Sequence, residues 1–99
     1  MAHHAVEEMD ERLVDRLAEA LCGLRSSEEA RSLLFDLCSP HEIADLSQRL
    51  EVASMLRAGA SYVDVSAATG ASSTTVSRVS KCLNGGTGGY HLVLTRLDG

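Results

Sequence analysis

Ser61-Tyr-Val-Asp-Val-Ser-Ala-Ala-Thr-Gly70-Ala-Ser-Ser-Thr-Thr-Val-Ser-Arg-Val-Ser-Lys81 is the stretch whose reading decides the fold. It reads as two short helices meeting at Gly70. Ser61 is placed to cap the first by accepting a bond from a free N–H of the opening turn, and Asp64 adds an acid to that turn. Val63, Val65, Ala67 and Ala68 are expected to supply its apolar contacts. Gly70 ends it, because a tight corner needs left-handed backbone that a Cβ penalises. Ser72 or Ser73 then caps a second helix. Val76 and Val79, three apart, face inward, which leaves Thr74, Thr75, Ser77, Arg78 and Lys81 for solvent or a groove. A DNA-reading helix-turn-helix requires this arrangement. The plain alternative is a helical corner that only packs. Short hydrogen-bonders and basic groups on the outward face favour DNA, and no acid occurs from Val65 to Leu97.

The rest of the chain must supply a body for that pair. With 99 residues, 44% hydrophobic and only 3% aromatic, it is expected to be one all-α domain over 9–99, with a core of Leu, Val and Ala. So short a chain buries a modest fraction of its surface, which makes a dimer with a shared core the natural default. No apolar run is long enough to span a bilayer and no signal-like segment opens the chain, so a cytoplasmic protein without a membrane partner is expected. Cys22, Cys38 and Cys82 are an odd, widely spaced set that reads as free thiols. His3, His4, His41 and His91 have no partners at ligand spacing, and no metal is assigned.

Net charge is −5, which by itself argues against a generic nucleic-acid binder. The distribution alters that conclusion. Residues 1–30 hold eight acids against three arginines, whereas residues 31–99 hold six charges of each sign. Between 65 and 97 the formal charges are Arg78, Lys81 and Arg96 alone. The reading pair is therefore mildly basic, and its non-specific affinity for DNA should be low and salt-sensitive.

In chain order, residues 1–8 read as disordered. Met9, Leu13, Leu17 and Leu21 then recur every four residues, widened by Val14, Ala20 and Leu24, in an amphipathic helix ending near Gly23. Ser26 and Glu29 are spaced as a capping box for a second helix that should stop around Cys38. Ser39-Pro40-His41-Glu42 is the strongest start signal, with Pro40 at the first helical position, where its missing N–H is no loss. The helix it opens should carry Ile43, Leu46, Leu50, Ala53 and Leu56 inward for about five turns. The helix-turn-helix is set at 61–83 and a Gly-rich hinge at 84–89. The hinge lacks the Gly-Lys-Ser/Thr of a phosphate loop, so it reads as a helix stop. The tail 90–99 should pack, as a helix with Tyr90, Val93, Leu94 and Leu97 on one face or as a strand; the run is too short for periodicity to decide.

From about Phe35 to Leu97 the chain resembles the Trp-repressor-like proteins, and within them the small YerC/YecD-type branch. The residues that carry this are Leu37-Cys38-Ser39-Pro40-His41-Glu42, Gln48-Arg49-Leu50-Glu51-Val52-Ala53, Thr69-Gly70-Ala71-Ser72 and Thr75-Val76-Ser77-Arg78-Val79, with the tail Cys82–Leu94. The resemblance implies an all-helical, intertwined homodimer with two reading heads meeting successive major grooves, and the N-terminal helices as its shared core. In the Trp repressor two arginines flank a bound tryptophan, and Arg49 and Arg78 stand at the matching places as a possible ligand-binding pair. The repressor follows the second arginine with glycine, whereas this chain has Val79, whose side chain should fill the slot and join the core. No tryptophan corepressor, and no other cofactor, is therefore expected. Arg49 is expected in an ion pair with Asp45 or Glu42, and Arg78 on a phosphate.

The function expected is that of a sequence-specific DNA-binding transcriptional regulator, a repressor, working as a homodimer on double-stranded DNA. Ser72, Ser73, Thr74 and Thr75 would meet bases or phosphates, and Ser77, Arg78 and Lys81 would fix the register on the backbone. The alternative is a small helical protein-interaction module that keeps the fold without DNA binding, favoured by the acidic first helix. An enzyme is not expected, for no Ser/His/Asp order, metal quartet or nucleotide loop is present.

Overall fold

A computed structural model describes residues 9–99, so the expectation for residues 1–8 lies outside the described residues. Six helices follow: α1 (Glu11–Cys22), α2 (Ser27–Leu37), α3 (Pro40–Arg57), α4 (Tyr62–Thr69), α5 (Ser73–Gly85) and α6 (Gly89–Asp98). No strand occurs among the described residues, and the open question of the tail is settled as helix. Their contacts group them into two units, one ending at Ser39 and one from Pro40 to Gly99.

In the first unit each helix begins where local chemistry dictates. Asp10 caps α1 by accepting the Arg12 N–H at 2.9 Å, and the Arg12 guanidinium beside it holds the Asp10 carboxyl below its ordinary range. Ser26 caps α2 by accepting the Glu29 N–H at 3.1 Å, while the Glu29 carboxylate reaches back to the Arg25 N–H at 2.9 Å. The box closes one residue earlier than the usual reciprocal pair, on Arg25 instead of Ser26. Arg31 lies over the ring of Phe35, 4.8 Å from its centroid, one turn along α2. No residue of α1 or α2 is buried. Leu13 is 66% exposed and Leu21 49%, so the leucine stripe is uncovered within the chain.

The second unit holds the core: Val52 and Ala53 of α3, Val65 of α4, Ala71 at the corner, Val76 and Val79 of α5, and Leu94 of α6. Met55, Leu56, Ala60 and Tyr90 pack against it. Leu94 is 1% exposed and anchors α6, which is also tied to α3 by polar links. Ser54 donates to Asp98 at 2.9 Å and Arg57 to Thr95 at 3.1 Å.

Two expectations about inward faces need correction. On α3 the buried pair is Val52 and Ala53, while Leu46 and Leu50 stay exposed. An 18-residue helix with apolar side chains on two faces offers one to the head and leaves the other open. On α4 only Val65 is buried; Val63 is 78% exposed, and Ala67 and Ala68 are exposed too. An eight-residue helix has two turns, and one valine from the middle fills the shallow space above Val76 and Val79. At the other end α5 continues through Asn84 and Gly85, so the hinge shortens to the residues between Gly85 and Gly89.

Candidate nucleic-acid interface

The helix-turn-helix, the candidate reading head, is built from α4, the corner and α5. Ser61 accepts the Asp64 N–H at 3.1 Å and so starts α4. Gly70 ends it at φ +75°, the left-handed conformation expected, with its N–H bonded to the Ser66 carbonyl. Thr69 braces the corner: its hydroxyl donates to the Val65 carbonyl at 2.7 Å and accepts the Ala71 N–H at 3.2 Å. Of the two expected caps for α5, Ser72 serves, accepting the Thr75 N–H at 3.1 Å. Val76, Val79 and Leu83 form the buried face of α5, at the i, i+3, i+7 spacing of a helix stripe.

The outward residues are not equivalent. Ser72 is exposed, but its hydroxyl is engaged on Thr75, through the amide and through the Thr75 hydroxyl at 3.1 Å. Ser73 and Thr74 are exposed on the first turn of α5 with no side-chain hydrogen bond among the described residues. Thr75 and Ser77 are half-buried. Arg78 and Lys81 are exposed and make no ion pair or hydrogen bond among the described residues. The geometry thus brings Ser73, Thr74, Arg78 and Lys81 to solvent as free side chains, and withholds the Ser72 hydroxyl.

Behind α5 lies a cleft of about 400 Å³ between α3, α5 and the start of α6, lined by Asp45, Gln48, Arg49, Thr75, Arg78, Val79, Cys82 and Tyr90. Arg49 and Arg78 both line it. Val79 is 2% exposed, so it joins the core, and it forms part of the cleft wall. Of the two expected partners of Arg49, Asp45 accepts the Arg49 Nε–H through its backbone carbonyl at 3.4 Å, while its carboxylate lies 3.6 Å from His41. An apolar groove of about 560 Å³, lined by Leu50, Cys82, Gly86, Thr87, Gly89, Tyr90 and Val93, shares Cys82 and Tyr90 with the cleft. Among the described residues no three His, Cys, Asp or Glu side chains are placed to hold a metal ion, and no helix is long and apolar enough to cross a membrane.

Sequence reasoning missed Asp45, Gln48, Cys82 and Tyr90 as cleft residues. Asp45, Gln48 and Arg49 stand at i, i+3, i+4 on α3, and Thr75, Arg78 and Cys82 at i, i+3, i+7 on α5, so each set was visible as one helix face. That the two faces meet was not. The hydrogen bond from Tyr62 to Ser80, 2.6 Å, with Asn84 also on Ser80, was likewise invisible in the linear pattern.

Six helices, with a helix-turn-helix between a long central helix and a short final one, define an all-helical class of protein. The chain belongs to the Trp repressor protein family, whose sequence pattern it matches over residues 12–98. It is 40% identical over 92 residues to the uncharacterized protein YerC of Bacillus subtilis (strain 168), a match spanning 93% of this chain and 88% of that one. Among solved structures it is similar to a TrpR-like protein from Eubacterium eligens (TM-score 0.81, 44% identity, 87% and 89% of the two chains). It is equally similar in fold to a putative Trp repressor from Staphylococcus aureus, with a TM-score of 0.83, 36% identity and 95% and 93% coverage.

Proposed function

We propose that the protein is a sequence-specific DNA-binding transcriptional regulator, a repressor, acting as a homodimer on double-stranded DNA in the cytoplasm. The observation that carries this reading is the sidedness of α5. Val76, Val79 and Leu83 are buried on one side, while Ser73, Thr74, Arg78 and Lys81 stand exposed. A helix held by its apolar face, with short donors on its first turn and two unpaired cations behind them, suits a major groove: the hydroxyls meet base edges and the cations meet phosphates. Membership of the Trp repressor family supports the same reading.

The dimer rests on uncovered apolar surface. A chain whose first two helices bury nothing, yet carry Leu13, Leu17, Leu21, Leu34 and Phe35 in the open, needs a partner to make those helices worth ordering. The same chain leaves an apolar groove beside Leu50 and Val93. A second copy supplies helices for that groove and takes helices in return, and the single helical domain over 9–99 is then completed by the shared core.

No tryptophan is required in this reading, although the cleft between Arg49 and Arg78 is open. Val79 narrows it where a glycine would leave room for a flat ring against the backbone.

The test is selection of random duplexes by the purified protein at low salt, with and without tryptophan. A palindrome with half-sites about one helical turn apart supports both DNA reading and the dimer. Enrichment only with tryptophan removes the claim about Val79. Arg78→Ala is expected to weaken binding and lower the salt slope by about one; an unchanged slope rejects Arg78 as a phosphate contact. The second reading, a helical protein-interaction module, is favoured by α4, whose exposed Val63, Asp64, Ala67 and Ala68 include no cation for a phosphate. A chain that ignores DNA at low salt is that module.

A further inference from the structure

We infer that Gln48 is the positioning residue of the reading head, fixing from α3 the corner out of which α5 springs. The inference rests on the DNA-reading function proposed above and names a residue outside its contact surface. The Gln48 side-chain amide donates to the Thr69 carbonyl at 3.1 Å, across 21 residues of chain and in a half-buried setting. Thr69 is the last residue of α4, so its carbonyl is one of those a helix leaves without an internal partner. Gln48 supplies that partner. The bond lands on the one residue that already braces both sides of Gly70, through the Val65 carbonyl and the Ala71 N–H.

Elsewhere α3 holds the head through apolar side chains, Val52 and Ala53 in the core with Val65, Ala71 and Val76, and Met55 and Leu56 packed against it. Such contacts resist separation, but they are non-directional and permit the head to roll. A hydrogen bond has a direction, and this one is applied at the corner. A small rotation there is carried along α5 to Ser73, Thr74 and Arg78, which must match base edges and phosphates together. The corner is therefore set by this chain's own side chain, before DNA arrives.

A residue that only stabilises the fold and one that orients the head differ in a measurable way. Partial unfolding lowers binding to every duplex by the same factor, whereas a misaligned head loses its selected site and keeps its non-specific, phosphate-driven affinity. The experiment measures the affinity of the full-length protein for its selected duplex and for an unrelated duplex of equal length. Gln48→Met keeps length and volume and removes the donor. The ratio of the two affinities is expected to fall by about tenfold, in line with one directed hydrogen bond, with the non-specific affinity and salt slope unchanged.

Gln48→Glu covers the case in which the methionine variant folds poorly. It keeps the shape and sets a carboxylate oxygen against the Thr69 carbonyl, so the ratio should fall at least as far. A folded variant of either kind that keeps the wild-type ratio overturns the inference and leaves DNA reading intact. Equal losses on both duplexes reduce Gln48 to a fold-stabilising residue and overturn it too. A wild-type protein that selects no duplex removes the DNA-reading proposal itself, and this inference with it.

Discussion

Two glycines, Gly70 at the corner and Gly86 at the end of α5, end their helices for different physical reasons. Gly70 sits at φ +75° with nothing within 4 Å of where a Cβ would stand. The demand for glycine is therefore conformational, not steric crowding, and a larger side chain fails only because its own backbone resists the left-handed region. Gly70→Val is expected to cost about 1–3 kcal/mol in urea unfolding and to abolish DNA binding with it. A variant that unfolds and binds like wild type would remove Gly70 as the determinant of the corner. Gly86 is the opposite case. Its φ of −85° suits any residue, but an added Cβ would collide with the Cys82 carbonyl, which accepts the Gly86 N–H at the end of α5. One glycine is required by backbone angle and the other by space, and the sequence prints the same letter for both.

At the scale of elements, α6 is the least predictable helix and the most dependent on its surroundings. It begins at Gly89 after Gly88 at φ +91°, has no side-chain cap, and runs for only 10 residues. Isolated helices of that length are marginal in water. Leu94, 1% exposed between α3 and α5, is what holds it, with the Ser54–Asp98 and Arg57–Thr95 bonds at its far end. Leu94→Ala is expected to cost about 2–5 kcal/mol by thermal or chemical unfolding. Hydrogen exchange should show the loss first in α6. Because Tyr90 lines the cleft and the groove alike, release of α6 would open both. An unchanged midpoint would mean that the exposed polar links, and not Leu94, secure this helix.

For the whole molecule, the distribution of burial is the governing fact. Every buried residue among those described lies in the unit from Pro40 to Gly99. The first unit is amphipathic with its leucines uncovered, and it carries most of the negative charge. Leu17→Asp places a charge in the middle of the stripe, where a shared core would bury it at high cost. Sedimentation should then show wild type as a dimer and the variant as a monomer with reduced helix content. A wild type that sediments as a monomer across micromolar concentrations would remove the dimer proposal.

What the sequence by itself determined is the set of local decisions. Ser26, Ser61 and Ser72 start helices because a hydroxyl reaches an N–H three residues on. Gly70 turns the chain, Pro40 opens α3, and Val76 with Val79 sets the buried side of α5, all within a turn or two of backbone. Those rules operate over distances the linear order preserves. Tertiary structure alone decided which of two apolar faces of α3 meets the head, putting Val52 inward and leaving Leu50 out. It alone showed that Val63 has nothing to cover it, that Arg49 and Arg78 share a cleft with Tyr90, and that Gln48 reaches Thr69. Each of these joins residues far apart in the chain, and helical periodicity gives a face its character without naming the face it will meet.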